Sequence, residues 1–148
     1  MGRRRLAREI ALQALYVADV APSAAAEAFA IVTRRRDGEQ ADAETLEFAR
    51  SLAAGALERR DELDALIAEK AANWSLPRMA AVDRNVLRLA AYELEARPDT
   101  PVGVIIDEAI EIVRKYSAEE APRFVNGVLD GLKARRAPKK KNARKKEP

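Results

Sequence analysis

The spacing of the apolar residues limits the fold of this chain more than any other feature. Within residues 80–97, Val82, Val86 and Leu94 fall on one face of a helix together with Leu89 or Ala90. No segment alternates β-branched and polar residues for more than a few positions. Residues 102–106 come closest to a strand, and they run directly into a helical acidic stretch. The spacing therefore predicts an all-α fold.

Prolines and capping residues divide the pattern into about seven helices. We expect them over residues 4–18, 23–32, two between 43 and 71 with a break near 60, then 80–97, 101–116 and 117–136. Asp42 and Asp61 are the expected caps of the third and fourth helices. The sequence Ser117-Ala118-Glu119-Glu120 matches a capping box for the last helix. Residues 34–42 are predicted to form an exposed loop.

Length and charge together favour one domain with a tail. A chain of 148 residues can bury one substantial core, and about seven helices with short links are typical of one or two packed bundles. Residues 137–148 are rich in lysine and have no apolar face to bury, so they are predicted to be a disordered basic tail. The predicted helical domain is residues 1–136.

The net charge of +3 conceals an uneven distribution. Residues 1–8 carry four arginines and no acid, and residues 133–148 carry nine lysines or arginines against Glu147 alone. The body between these ends is acidic. An acidic body with basic ends would repel a polyanion except at those ends, which favours localised contact with nucleic acid.

The absence of histidine and cysteine excludes most common catalytic sites. It rules out zinc fingers, thiol nucleophiles and Ser-His-Asp triads, so we expect no catalytic residues, no metal and no cofactor. The carboxylates of Asp107, Glu108 and Glu111 lie on adjacent turns, where a solvated helix face is favoured over a metal or acid-base site. Without a disulfide framework, a signal peptide or a membrane span, the protein is expected in the cytoplasm.

Two clusters are candidates for RNA contact. The arginines Arg3, Arg4, Arg5 and Arg8 could grip phosphates at the start of a helix, the alternative being an ordinary solvated terminus. Phe124 and Asn126 pair an aromatic ring that could stack on a base with an amide that could read its edge. From the residues alone, a core Phe and a helical Asn are favoured, and core or edge packing is likewise favoured for the three aromatic residues Trp74, Tyr92 and Tyr116.

Four sequence blocks stand out when the chain is considered in order. They are Arg3-Arg4-Arg5-Leu6-Ala7-Arg8-Glu9 with Ala11-Leu12-Gln13-Ala14-Leu15-Tyr16, Val82-Asp83-Arg84-Asn85-Val86-Leu87-Arg88-Leu89-Ala90-Ala91-Tyr92-Glu93-Leu94, Pro101-Val102 with Ile106-Asp107-Glu108-Ala109-Ile110-Glu111, and Phe124-Val125-Asn126-Gly127-Val128-Leu129-Asp130. Together these blocks resemble the NusB family of bacterial transcription antitermination factors. The resemblance covers the chain from Arg3 to about Lys133. It implies two packed three-helix bundles and no enzymatic activity.

The resemblance also implies partners and roles. Family members bind single-stranded boxA RNA in nascent ribosomal RNA jointly with NusE, the ribosomal protein S-ten, in the RNA polymerase elongation complex with other Nus factors. Some members form homodimers. Carried over by position, the RNA-binding residues are Arg3, Arg4, Arg5, Arg8, Arg88, Phe124 and Asn126. The residues implied to meet NusE are Tyr16, Asp83 and Arg84.

The sequence departs from the family pattern at two places, and two other interpretations of its function stay open. Asp107 stands where the family usually has Asn, and the tail after Lys133 is longer and more basic than the family requires. One alternative is a non-catalytic helical ribosome or RNA assembly factor. The other is a stand-alone relative of the RNA-binding domain of ribosomal RNA cytosine methyltransferases, whose catalytic α/β domain with a Gly-rich turn is absent from this sequence.

Overall fold

The computed structural model describes residues 2–35 and 41–145, with side chains described for 2–34 and 41–136. Within these ranges there are seven α-helices and no strand. The helices are α1 Arg3–Val20, α2 Ala28–Arg35, α3 Ala43–Glu58, α4 Arg60–Lys70, α5 Ala81–Ala96, α6 Val102–Tyr116 and α7 Ala121–Lys145. Short 3-10 helices cover Pro22–Glu27 and Leu76–Arg78. The predicted all-helical fold is confirmed.

The helices pack as two halves around shared central elements. In the first half, α1 packs against both α2 and α3. In the second, α5, α6 and α7 pack against one another, and α4 lies against α5 and α7. Contacts of α5 with α1 and α3 join the halves into one core of mostly Ala, Leu, Ile and Val side chains. None of the helices in the described residues is both long and apolar enough to cross a membrane.

Several helix boundaries follow local chemistry, and others differ from the sequence prediction. Asp42 caps α3 as predicted, because its Oδ1 accepts the backbone N–H of Thr45 at 2.8 Å. The predicted break near residue 60 is present, but Arg59 occupies the cap position of α4 and Asp61 lies in its first turn, so the predicted Asp61 cap is wrong. The predicted second helix begins instead as the 3-10 segment Pro22–Glu27.

The connection between α6 and α7 also departs from the prediction. Ser117 ends α6 and its hydroxyl donates to Asp83 Oδ1 at 2.6 Å, so it does not form the predicted capping box. At the far end, the α7 backbone continues through Lys145, beyond the boundary predicted at residue 136, and the division into domain and tail remains a prediction. Residue 34 of the predicted 34–42 loop belongs to α2, and residues 36–40 lie outside the described residues.

Close packing of α3 on α5 leads to the first testable prediction. A Cβ at Gly55 would overlap the outer end of the Tyr92 ring, so Gly55→Ala forces that ring aside. This cost should outweigh the gain in helix propensity and lower the free energy of unfolding by about 1 kcal/mol. Gly127, on α7, is the matched control because a Cβ there meets open space. Gly127→Ala should raise stability by up to about 1 kcal/mol through helix propensity. Urea midpoints measure both, and equal midpoints for the two variants would contradict the packing argument.

Candidate nucleic-acid interface

The arginines at the start of α1 point to different places. Arg3 is exposed and its guanidinium lies 2.7 Å from Asp42 and 3.8 Å from Glu44, at the start of α3. The hydrogen bonds from Thr45 and Arg3 lower the pKa of Asp42 to about 2, so this carboxylate stays charged near neutral pH. Arg3 thus remains at the surface and is paired to the cap of α3.

Arg5 and Arg8 make bidentate ion pairs with two other helices. Arg5 donates to both oxygens of Glu108 on α6 at 2.6 and 2.9 Å, and these hydrogen bonds lower the pKa of Glu108. Arg8 donates to both oxygens of Glu93 on α5 at 2.8 and 2.9 Å and is only 4% exposed. The structure therefore places Arg8 in the core, and its predicted contact with RNA stays a prediction.

Arg4 differs from its neighbours because it has no carboxylate partner among the described side chains. Its guanidinium lies 4.1 Å from the centre of the Phe48 ring on α3, which is a cation–π contact. Arg4 is exposed and lines an open cavity of about 480 Å³ together with Phe48, Ser51 and Arg97. Of the four predicted arginines, it is the one that forms no ion pair with the described side chains, while Arg3 is exposed but paired with Asp42.

Phe124 lies in a second surface, formed where α7 begins beside the Leu76–Arg78 segment. Its ring and that of Trp74 form a T-shaped contact, with a centroid distance of 6.3 Å and an interplanar angle of 70°. Trp74 is 55% exposed, so it packs against Phe124 at the surface and not in the core. The rings line a mainly apolar groove of about 410 Å³ whose lining includes the charged groups Arg78, Asp83, Glu120 and Arg123. Asn126 is exposed on the same helix.

Arg88 belongs to a buried polar network. It is 7% exposed and donates to both oxygens of Asp64 at 2.7 and 2.9 Å, and to Asn85 Oδ1 at 3.0 Å. Arg84, one turn earlier, donates to Asp19 at 2.8 Å and to the backbone carbonyls of Leu76 and Met79. These arginines join α5 to α1 and α4, so both are committed to internal contacts.

The residues implied to meet NusE are distributed between the surface and this network. Tyr16 is 40% exposed on α1, and Val20, one turn later, is also exposed. Asp83 accepts the Ser117 hydroxyl and lines the same groove as Phe124. The sequence prediction thus separated Asp83 and Phe124 between two partners, whereas the structure brings them to one groove.

The Arg4 cavity and the Phe124 groove lie toward opposite ends of α5. Asp83, in the first turn of α5, lines the groove, and Arg97, the residue that follows its last turn, lines the cavity. At 1.5 Å per residue, these two positions are about 20 Å apart along the helix axis. The exposed members of the predicted RNA set therefore lie on separate surfaces.

Sequence reasoning missed two residues at these surfaces, Phe48 and Arg97, which line the Arg4 cavity. Phe48 lies on a helix predicted from its core stripe, and Arg97 lies at a predicted helix end, so neither gave a separate signal. For Trp74 the sequence favours packing over a role as a base platform, and the structure places it in the lining of the Phe124 groove.

Comparisons with known proteins agree on one family. The model of the NusB family matches residues 5–134. The transcription antitermination protein NusB of Elusimicrobium minutum is 48% identical over 138 residues, which cover 92% of this chain and 96% of that protein. Among solved structures, a T. maritima NusB has a TM-score of 0.83 at 36% identity, covering 95% of this chain and 96% of that chain. A chain in a structure of the antitermination factors NusB and NusE with double-stranded RNA has a TM-score of 0.81 at 29% identity, covering 90% and 97%.

Proposed function

The chain belongs to the NusB family, and we propose on that basis that it is a transcription antitermination factor that binds boxA-type RNA in nascent ribosomal RNA together with NusE. The observation that carries this function is the likeness, over nine tenths of the chain, to a protein solved with NusE and RNA. The protein is non-catalytic and works in the setting of the RNA polymerase elongation complex. Because bacterial transcription takes place in the cytoplasm, we place it there.

The described contacts support different roles for the predicted RNA residues, some in RNA contact and others in stability. Arg3 and Arg4 are exposed and can reach phosphates, while Phe124 can offer a ring face to an unstacked base. Asn126 is exposed on the same helix, outside the lining of the groove, and can hydrogen-bond a base edge. Arg8 and Arg88 are buried in bidentate pairs, so we assign them to the stability of the surface.

NusE is the second partner in this proposal. Tyr16 and Val20 lie one turn apart on α1 and form an exposed apolar strip suited to burial against a protein. Asp83 lies at the rim of the Phe124 groove, where a protein partner could meet the RNA. Arg84 is placed behind this surface, since its guanidinium is bonded to Asp19 and to two carbonyls.

The function is tested by titrating labelled RNA with the full chain, with and without NusE. We expect tighter binding to a boxA-like single strand than to its scrambled counterpart, and a further gain when NusE is present. The salt concentration is held fixed, because phosphate contacts make affinity strongly salt-dependent. Equal affinity for both RNAs in the presence of NusE would contradict the function and favour the assembly-factor alternative.

Phe124→Ala should weaken boxA binding by about 1–3 kcal/mol, the usual contribution of one base stacked on an aromatic ring. The matched control is Phe29→Ala, on α2, because Phe29 is also half-buried and carries Arg50 over its ring at 4.7 Å. Both variants are first checked for folding by urea titration. An equal loss of RNA affinity in the two variants would show that Phe124 acts only through packing.

A further inference from the structure

Arg97 extends the arginine surface of α1 from another part of the fold. It follows α5, and its guanidinium lies 5.4 Å from the centre of the Phe48 ring, which also carries Arg4 at 4.1 Å. One Arg97 N–H donates to the hydroxyl of Ser51. Three guanidinium groups thus converge on one aromatic ring, since that of Arg8 lies 5.8 Å from its centre. Of the three, Arg8 is paired with Glu93.

The charges at this cavity leave Arg4 and Arg97 without carboxylate partners. Two glutamates line the cavity, but Glu44 lies 3.8 Å from Arg3 and Glu47 lies 3.6 Å from Arg50. Among the described side chains, neither Arg4 nor Arg97 forms an ion pair, and both line the open space of about 480 Å³. Three arginines and two glutamates line the cavity, so its charge is net positive and it favours an anion.

The position of Arg97 is fixed from behind by α7. The buried guanidinium of Arg136 donates to the backbone carbonyls of Arg97 and Thr100, the latter at 2.7 Å. This clamp holds the turn that follows α5 and limits the entropy lost when Arg97 binds a ligand. The site is therefore built by four elements: α1, α3, the end of α5 and α7.

We propose that Arg4 and Arg97, aligned by Phe48, form a binding site for a backbone phosphate of the RNA. The proposal rests on the proposed function for the identity of the anion, and it adds Arg97 as a phosphate-binding residue outside the sequence blocks that suggested RNA contact. Phe48 is a positioning residue, since its ring orients both guanidinium groups without reaching the phosphate itself.

The principal test compares Arg97→Ala with the native chain in titrations of boxA-like RNA, with NusE present, over a range of salt concentrations. Loss of one phosphate contact should weaken binding several-fold at low salt and flatten the log-log salt dependence by about 0.7. Arg97→Lys should recover part of the slope. Arg114→Ala is the control, because Arg114 is exposed on α6, outside the cavity, and forms no ion pair with the described side chains. An unchanged slope for Arg97→Ala would overturn the site and leave the proposed function intact.

A second readout does not depend on RNA recognition. Inorganic pyrophosphate is titrated into ¹⁵N-labelled protein, and the Nε–Hε signals of arginine are followed. We expect shifts at Arg4 and Arg97 and none at Arg114, and the shift at Arg4 should weaken in Arg97→Ala. These shifts would support the anion site even if boxA-like RNA fails to bind, an outcome that would contradict the proposed function alone. Equal shifts at all three arginines would overturn the site.

Discussion

Glu93→Ala is expected to lower the free energy of unfolding by about 3–5 kcal/mol, because it leaves the Arg8 guanidinium buried without a counter-charge. Both side chains are almost fully buried, and the two hydrogen bonds between them are 2.8 and 2.9 Å long. The ion pair ties α1 to α5, the contact through which the two halves of the fold meet. Urea unfolding followed by circular dichroism measures the loss as a shift in midpoint.

The control replaces the pair by apolar side chains of similar size. Arg8→Met with Glu93→Leu removes both charges, so the double variant should recover most of the stability lost by Glu93→Ala. This variant also separates the two roles open to Arg8. If Arg8 acts through the fold, the double variant binds boxA-like RNA as the native chain does; a folded double variant with weakened RNA binding would show that Arg8 contacts RNA directly.

The helices were predictable from sequence because their signals are local. The stripe that includes Val86 and Leu94, and the stops at prolines, depend only on neighbouring residues, and α5 and α6 lie close to their predicted bounds. The predicted capping box at Ser117 is wrong because of a contact between residues far apart in the sequence. Its hydroxyl is taken by Asp83, which is far away in sequence, and α7 begins only at Ala121.

The placement of the arginines could not be read from periodicity. A periodic stripe marks one buried face, but α1 packs against α2, α3 and α5, so nearly its whole circumference is covered from Ala7 to Leu12. Arg8 is therefore buried, and its carboxylate partner lies 85 residues away. Arg97 is the reverse case, because the sequence gave no reason to expect it at a binding surface. It lies at a helix end and reaches the cavity only through tertiary packing.

Asp19→Ala is expected to lower the free energy of unfolding by about 3 kcal/mol at neutral pH. Asp19 Oδ2 accepts hydrogen bonds from Arg84 at 2.8 Å and from Asn85 at 2.9 Å, and lies 3.3 Å from Arg88. The Asn85 side chain is fully buried, so its amide nitrogen would lose one of its two acceptors and keep the Ala81 carbonyl. Asp19→Asn keeps the volume but removes the charge, and should lose less because its amide oxygen can still accept one hydrogen bond.

The same residue sets the pH dependence of this loss. Burial raises the pKa of Asp19. The hydrogen bonds from Arg84 and Asn85 and the charges of Arg84 and Arg88 lower it by more than burial raises it, so the pKa in the folded protein lies below the ordinary 3.8. A carboxyl group with a lowered pKa contributes fully above its unfolded value, and the contribution is lost as the pH falls through the folded value. The stability gap between native protein and Asp19→Ala should therefore be constant from pH 7 to about pH 5 and narrow below about pH 4. Urea titrations across this range measure the gap, and a gap that stays constant down to pH 2.5 would show that Asp19 contributes by packing and not by charge.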